Sequence, residues 1–129
     1  MHLLGIDYGT VYLGLAIARE NLPVALTVVK SKSDDHKIAE IVKICHQEII
    51  SKIIIGKGSG KLENHIKDFI NKLKEKINLE IIPVDETLSS NEALNQMIKE
   101  GVPLKKRKKE EHAFAAALLL SLYLQGVKS

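Results

Sequence analysis

The sequence predicts an α/β fold in which a mixed five-stranded sheet, made of an antiparallel three-strand meander plus parallel strands, is flanked by helices. Three β-rich segments with short connections fill the first 30 residues, and the rest of the chain alternates helical and strand patterns. The chain has 129 residues, of which 45% are hydrophobic, so it is the size of one domain and can bury a core. We therefore expect residues 1–129 to form a single domain.

The meander is predicted from HLLGID (2–7), VYLGLAIA (11–18) and PVALTVVK (23–30). The segments YGT and RENL separate these strands. Connections this short favour antiparallel pairing of consecutive strands, because parallel pairing needs a longer crossover.

The middle of the chain predicts helices that alternate with buried strands. Residues 35–50 carry apolar side chains at helical spacing behind a cap at Asp34 or Asp35. KIIIG (52–56) and LEIIPV (79–84) are short apolar runs typical of strands covered on both faces, and GSG (58–60) precedes a second helix. The apolar stripe of the first helix is Ile38, Ile41, Val42, Cys45 and Ile49. The stripe of the second is Leu62, Ile66, Phe69, Ile70, Leu73 and Ile77.

Two further helices are predicted near the C-terminus. Ser89 or Ser90 can cap a third helix that Gly101 ends. The last helix is expected to begin between Lys108 and His112 and to run to about Gln125, so that the basic run before it forms a loop. That run is Lys105, Lys106, Arg107, Lys108 and Lys109.

Composition and charge narrow the function classes only modestly. The net charge of +3 does not by itself indicate a polyanion partner, but the basic run could contact phosphates; a solvated loop or a nuclear address signal would look the same. The one cysteine, Cys45, excludes an internal disulfide and is interpreted as a small core residue. No signal peptide is apparent, and the longest apolar run is too short to cross a bilayer, so we expect a cytoplasmic protein without membrane contact.

Carboxylates follow two strands that should be central. Asp7 ends the first strand, and Asp85 and Glu86 follow LEIIPV. Ligands in open α/β sheets gather at the carboxyl ends of strands, so if these strands are parallel neighbours, Asp7 and Glu86 could bind one hard cation, Mg²⁺ or Mn²⁺. The alternative is that these acids are turn residues or helix caps.

The sequence Asp7-Tyr8-Gly9-Thr10 between two strands is typical of a phosphate-binding hairpin. In such a hairpin the Thr10 hydroxyl would face the phosphate. Gly14 in the next strand would allow another backbone segment to approach closely.

Four separated blocks together resemble the YqgF family: GIDYGTVYLGLAIA, IIIG, PVDETLSSNEA and EHAFAAALLLSLYL. Members of this family are Holliday-junction-resolvase-like proteins, also described as pre-16S ribosomal RNA nucleases, with an RNase H-like fold. The blocks cover almost the whole chain in the family's order. The resemblance therefore implies a metal-dependent nuclease.

The resemblance also implies three acidic positions in the site. The first falls on Asp7, the second on Glu86 beside Asp85, and the third on His112, where family members usually have Asp. Other departures are Val11 and Tyr12 at two usually basic positions, Thr87 where Arg is usual, and Gly56-Lys57-Gly58 in place of a G-L-P-like segment. They favour, as an alternative, a divergent member with weakened catalysis.

A histidine at the start of the last helix would tend to be neutral, because the helix N-terminus disfavours imidazolium. A neutral imidazole prefers Mn²⁺ to Mg²⁺ more than a carboxylate does, so a site of Asp7, Glu86 and His112 would favour Mn²⁺. His112 could instead cap the helix, pair with Glu86, or be an ordinary boundary residue. Glu111 could substitute only at a frayed helix start.

Three functions compete. The first is a nuclease acting on precursor 16S rRNA or branched DNA, in which Asp7 and Glu86 bind the metal and His112 is an auxiliary ligand or proton shuttle. The second is a nucleic-acid-binding or ribosome-binding module of the same fold, with ribosomal particles as partners. The third is an actin-like phosphotransferase, which normally needs two such domains. The sequence leaves open whether the protein is a monomer or a homodimer.

Overall fold

The computed structural model describes residues 1–85 and 104–126, and the side chains of residues 104–109 lie outside this description. The described residues form five strands and three helices. The strands are β1 (His2–Tyr8), β2 (Tyr12–Arg19), β3 (Leu22–Lys30), β4 (Ile50–Gly56) and β5 (Glu80–Val84). The helices are α1 (Asp34–Gln47), α2 (Lys61–Lys76) and α3 (Leu104–Leu124).

The strands form one sheet in the order β3-β2-β1-β4-β5. β1, β2 and β3 are antiparallel neighbours, whereas β4 pairs in parallel with β1 and with β5. The predicted mixed sheet of a meander plus parallel strands is therefore confirmed. The sequence left open whether β1 and β5 are parallel neighbours: they are parallel, but the apolar strand β4 lies between them.

Large apolar side chains fill the face of the sheet that α1 and α2 cover. This cluster includes Phe69, which lies against Tyr8 with 4.7 Å between ring centroids, and Cys45. Burial raises the pKa of the Cys45 thiol to about 11, so the thiol stays protonated at neutral pH, as expected of a core residue. The buried members of the cluster are Leu4, Ile6, Tyr8, Leu13, Leu15, Ile17, Ile38, Ile41, Ile44, Cys45, Ile50, Ile53, Ile55, Ile66, Phe69 and Leu73.

Small side chains fill much of the opposite face, where α3 packs. Its buried residues are Leu3, Ala16, Ala18, Ile54, Val84, Ala116, Leu119 and Leu120. A Cβ on Gly5 would lie 2.7 Å from the Ala116 carbonyl oxygen, so the backbone of α3 nearly touches β1. The short side chains on both elements allow this close approach.

The ends of two helices differ from the sequence expectation. The hydroxyl of Ser33, rather than Asp34 or Asp35, caps α1 by accepting a hydrogen bond from the His36 amide at 3.2 Å. Ile49 lies beyond the end of α1 with φ at 53° and is 78% exposed, so it is not part of the apolar stripe. The helix ended earlier than the apolar pattern suggested, because Glu48 and Ile49 form the turn into β4.

The start of α3 is also different. The helix begins at Leu104, so the basic run 105–109 is helical and is not a loop. Lys, Arg and Glu are good helix formers, which lets the helix continue through the charged segment once its apolar half is packed. The predicted third helix and its caps Ser89 and Ser90 lie outside the described residues. No helix within residues 1–85 or 104–126 is long and apolar enough to cross a membrane.

Candidate functional site

Asp7 lies at the end of β1, the middle strand of the sheet, and is only 5% exposed. Side chains alternate between the two faces of a strand, so Asp7 points to the same face as Leu3 and Gly5, toward α3. This places a carboxylate between the sheet and the last helix.

His112 of α3 lies directly against Asp7. Its Nδ1 atom donates a hydrogen bond to Oδ2 of Asp7 over 2.6 Å, although the two residues are 105 positions apart. A carboxylate only accepts hydrogen bonds, so the contact assigns the proton to Nδ1. The side chain of His112 is 29% exposed and that of Asp7 is 8% exposed, so solvent reaches the pair mainly from the histidine side.

Gly14 makes this contact possible. It pairs with Asp7 across the β1–β2 ladder, and a Cβ built on it would lie 2.0 Å from the carbonyl oxygen of His112. Any side chain at residue 14 would push α3 away from the sheet. The close backbone approach predicted for Gly14 is thus confirmed, and its partner is the residue that contacts Asp7.

An aromatic ring and a cation flank the pair. The ring of Tyr12 stacks on that of His112, with centroids 5.8 Å apart and planes 19° apart. Lys30 is the register partner of Tyr12, and its Nζ lies 6.0 Å from the centroid of the Tyr12 ring. Tyr12 therefore fills a position that the resemblance reserved for a cation, and a lysine from the neighbouring strand supplies a positive charge beside it.

A buried polar network supports the hairpin between β1 and β2. The Lys37 side chain is fully buried, and its Nζ donates to the carbonyl oxygen of Thr10 at 2.9 Å and lies 3.3 Å from Oδ1 of Asp34. The Tyr8 hydroxyl donates to the same Asp34 oxygen at 2.9 Å. Burial, and then the hydrogen bond to Asp34, raise the pKa of Tyr8 well above its usual value, so the hydroxyl keeps its proton.

The sequence did not predict this network or the Tyr12–Lys30 pair. Lys37 precedes Ile41 by four residues, so it lies on the apolar stripe of α1, and a lysine on such a stripe is the signal that could have revealed the network. The Tyr12–Lys30 pair depends on the β2–β3 register, which the sequence alone does not define.

The other predicted site residues are only partly placed. Asp85 follows β5 and is exposed, Thr10 is exposed at the hairpin, and Glu86 lies outside the described residues. His112 is not at a helix N-terminus, because α3 begins eight positions earlier at Leu104; the helix-dipole argument for a neutral imidazole is therefore wrong. Glu111 is likewise inside the helix rather than at a frayed start.

No group of three potential ligands among His, Cys, Asp and Glu comes together within residues 1–85 and 104–126. The predicted set of Asp7, Glu86 and His112 has one member beyond those ranges, so it stays a prediction. The described residues bring two of its three members into contact.

A mixed sheet in this order, with an acid at the end of its middle strand against the last helix, is an RNase H-like fold. Two solved structures share the fold. RuvC of T. thermophilus in complex with a Holliday junction substrate has a TM-score of 0.63 and 18% identity, covering 98% of this chain and 95% of that one. Fowlpox virus resolvase in complex with Holliday junction DNA has a TM-score of 0.65 and 16% identity, covering 98% of both chains.

The chain belongs to the family described as "RuvX: Holliday junction resolvase", whose model matches residues 1–126. Two relatives carry the name "Putative pre-16S rRNA nuclease". The one from Natranaerobius thermophilus is 32% identical over 96% of this chain and 94% of its own length. The one from Malacoplasma penetrans is 33% identical over 98% of this chain and 95% of its own length. The resemblance to the YqgF family is thereby confirmed.

Proposed function

We propose that this protein is a metal-dependent nuclease that acts on structured nucleic acid, with precursor 16S rRNA as its substrate. The observation that carries the proposal is the buried Asp7 at the end of the middle strand, held against His112 of the last helix. The names of the relatives point to precursor rRNA, and those of the structural neighbours to four-way DNA junctions. Junction DNA is accordingly the second substrate to test.

The donor atoms fit a divalent cation. Asp7 uses Oδ2 for His112, and a carboxylate retains further acceptor capacity for a hard ion. Asp7 and Glu86 would hold the metal, with Asp85 beside them and His112 as an auxiliary ligand. A bound Mg²⁺ or Mn²⁺ would polarise the phosphate and activate water for attack.

His112 has a specific part in this proposal. Its Nδ1 proton is directed at Asp7, so in this arrangement Nδ1 orients the carboxylate and Nε2 points away from it. To bind the ion that Asp7 holds, the imidazole would have to turn and release this hydrogen bond. Imidazole nitrogen in place of a carboxylate favours Mn²⁺ over Mg²⁺. The histidine therefore fits a site with one negative charge fewer than three acids would give.

The basic run 105–109 supports nucleic-acid binding. It occupies the first turns of α3, and the same helix brings His112 to Asp7. Lysine and arginine side chains there would contact phosphates without reading the base sequence. Cytoplasmic location and association with ribosomal particles follow from precursor rRNA as substrate and belong to the same proposal.

The second candidate function is a nucleic-acid-binding or ribosome-binding module. The observation that favours it is that residue 112 is a histidine, where the family pattern has an acid. The actin-like phosphotransferase is disfavoured. This chain covers 94% and 95% of the length of the two relatives named above, which leaves little room for a second nucleotide-closing domain in them.

Cleavage assays on precursor 16S rRNA and on a four-way junction, each with Mg²⁺ and with Mn²⁺, test the proposal. Asp7→Asn keeps the shape of the side chain and an acceptor for His112 but removes the charge. We expect cleavage to fall by about 100-fold or more, the scale of losing one electrostatic contact in a catalytic site.

Asp68→Asn is the matched control, because Asp68 is an exposed acid on α2, on the other side of the sheet. Cleavage that survives Asp7→Asn would sink the metal-nuclease mechanism. A wild-type protein that binds these substrates but cleaves neither with either metal would favour the binding module.

A further inference from the structure

Lys30 lies at the same end of the sheet as Asp7. β1 and β3 both run antiparallel to β2, so the last residues of both strands lie at the same end of the sheet. Asp7 pairs with Gly14, which pairs with Val28, and Lys30 follows Val28 by two positions. Two strand spacings, about 10 Å, separate Lys30 from Asp7 across the sheet.

The ammonium group of Lys30 is available to a ligand. Lys30 is exposed, and within the described part of the chain it forms no ion pair or hydrogen bond. Lys37, whose Nζ also reaches this hairpin, is fully buried and contacts Asp34 and the Thr10 carbonyl oxygen. At this end of the sheet, Lys30 thus presents a positive charge to solvent, whereas Lys37 stabilises the hairpin.

Tyr12 restricts where this charge can be. Its ring stacks on His112, and Nζ of Lys30 lies 6.0 Å from the ring centroid, at the outer limit of a cation–π contact. Such a contact guides the aliphatic stem of the lysine along the ring without neutralising the ammonium group. Lys30, Tyr12 and His112 consequently form one continuous surface that leads to Asp7.

We propose that Lys30 is a subsite for the phosphodiester backbone, holding a phosphate of the substrate strand on the β3 side of Asp7. This inference rests on the proposed function and adds a contact separate from the basic run of α3. A lysine is a point charge with flexible donors, so the subsite binds phosphate without selecting a base.

The test is the salt dependence of binding, measured by fluorescence anisotropy with a labelled four-way junction in EDTA, which prevents cleavage. Each phosphate contact contributes about −0.9 to the slope of log K against log salt concentration for duplex arms. We expect Lys30→Ala to reduce the magnitude of the slope by about 0.9. When the salt concentration rises from 50 to 200 mM, the factor by which affinity falls should then be about threefold smaller for Lys30→Ala than for the wild type.

Lys30→Arg should keep the wild-type slope, because the charge is retained. Lys74→Ala is the matched control: Lys74 is an exposed lysine in the last turn of α2, near the opposite end of the sheet, and its removal should leave the slope unchanged. Thermal melting of each variant establishes that folding is intact, which the exposure of both lysines leads us to expect.

A wild-type slope in Lys30→Ala would overturn the subsite even if cleavage fell, and would leave the proposed nuclease standing. An equal loss of slope in Lys74→Ala would also overturn it, because the effect would then be one of overall charge. Binding of the wild type that does not respond to salt would remove both the subsite and the phosphate contacts of α3. Persistent cleavage by Asp7→Asn, in contrast, would remove the nuclease mechanism and leave the measured subsite in place.

Discussion

The two faces of the sheet are packed with side chains of different size. Isoleucine, leucine and phenylalanine fill the face under α1 and α2, and Phe69 and Leu73 there are fully buried. Glycine and alanine occupy much of the face under α3, where the helix backbone would collide with a Cβ on Gly14 or Gly5. The first face buries apolar volume, and the second brings two backbones close together.

This difference separates stability from the geometry of the site. Burial of large side chains contributes most of the hydrophobic free energy of folding, and the face under α1 and α2 has more of them. The short side chains under α3 contribute less burial, but they let His112 reach Asp7. Substitutions that make side chains smaller on the first face should therefore lower stability. Substitutions that make side chains larger on the second face should disturb the site.

Phe69→Ala should give the largest loss of stability. Phe69 is 0% exposed and lies against Tyr8, so its truncation leaves a cavity in the larger cluster. We expect the free energy of unfolding to fall by about 3–5 kcal/mol, measured by urea denaturation. Cleavage per folded molecule should be unchanged, because Asp7 and His112 lie on the other face.

Phe69→Leu serves as the control, since it retains most of the apolar volume and should cost less. A loss below about 1 kcal/mol for Phe69→Ala would contradict the assignment of stability to this face.

Gly14→Ala should have a smaller effect on stability and a larger one on the site. The added methyl group would lie 2.0 Å from the His112 carbonyl oxygen, so α3 has to move. We expect a loss of about 1–3 kcal/mol in urea denaturation, the usual cost of overpacking. Cleavage should fall further than this loss of stability explains, because His112 moves away from Asp7.

Gly5→Ala is the comparison variant for this prediction. Its methyl group would lie 2.7 Å from the carbonyl oxygen of Ala116, one helical turn beyond His112. It should therefore affect stability similarly and cleavage less. Equal losses of cleavage in the two variants would show that α3 positions the site only as a rigid whole.

His112→Asp introduces the acid that the family pattern has at this position. Of the substitutions considered, it should change stability least. It would place a second carboxylate against Asp7, and the repulsion should lower stability by about 1 kcal/mol in EDTA, measured as a fall in melting temperature. Mg²⁺ should reverse the fall, since a cation that binds the folded state stabilises it. Its cleavage should also shift from Mn²⁺ toward Mg²⁺.

His112→Asn introduces no charge, so Mg²⁺ should raise its melting temperature less than that of His112→Asp. A melting temperature of His112→Asp that ignores both metals would argue against a metal site shared by Asp7 and residue 112.

The sequence predicted the sheet well because its signals are local. Tight turns between apolar strands indicated the meander, and short isoleucine-rich runs indicated β4 and β5. The start of α3 was missed because a lysine run has no local signal that separates an exposed helix from a loop. Packing of the apolar half, from Ala113 onward, determines that helix.

The site was predicted in part. Asp7 and His112 were identified, but their contact depends on two backbones meeting at Gly14, which only the assembled fold reveals. Lys30 and Tyr12 were not linked, because pairing across β2 and β3 follows from a register with a shift between Leu15 and Ala16. No local pattern in the sequence encodes that shift.

The separation of Asp7 and His112 by 105 positions has a consequence for synthesis of the chain. β1 leaves the ribosome before α3, so the contact between these two side chains cannot form until 105 residues beyond Asp7 have been made. Closing so long a loop has an entropic cost that earlier packing of the meander and of α1 reduces. The pair is thus a late product of folding, and a nascent chain that ends before residue 104 carries Asp7 without its partner.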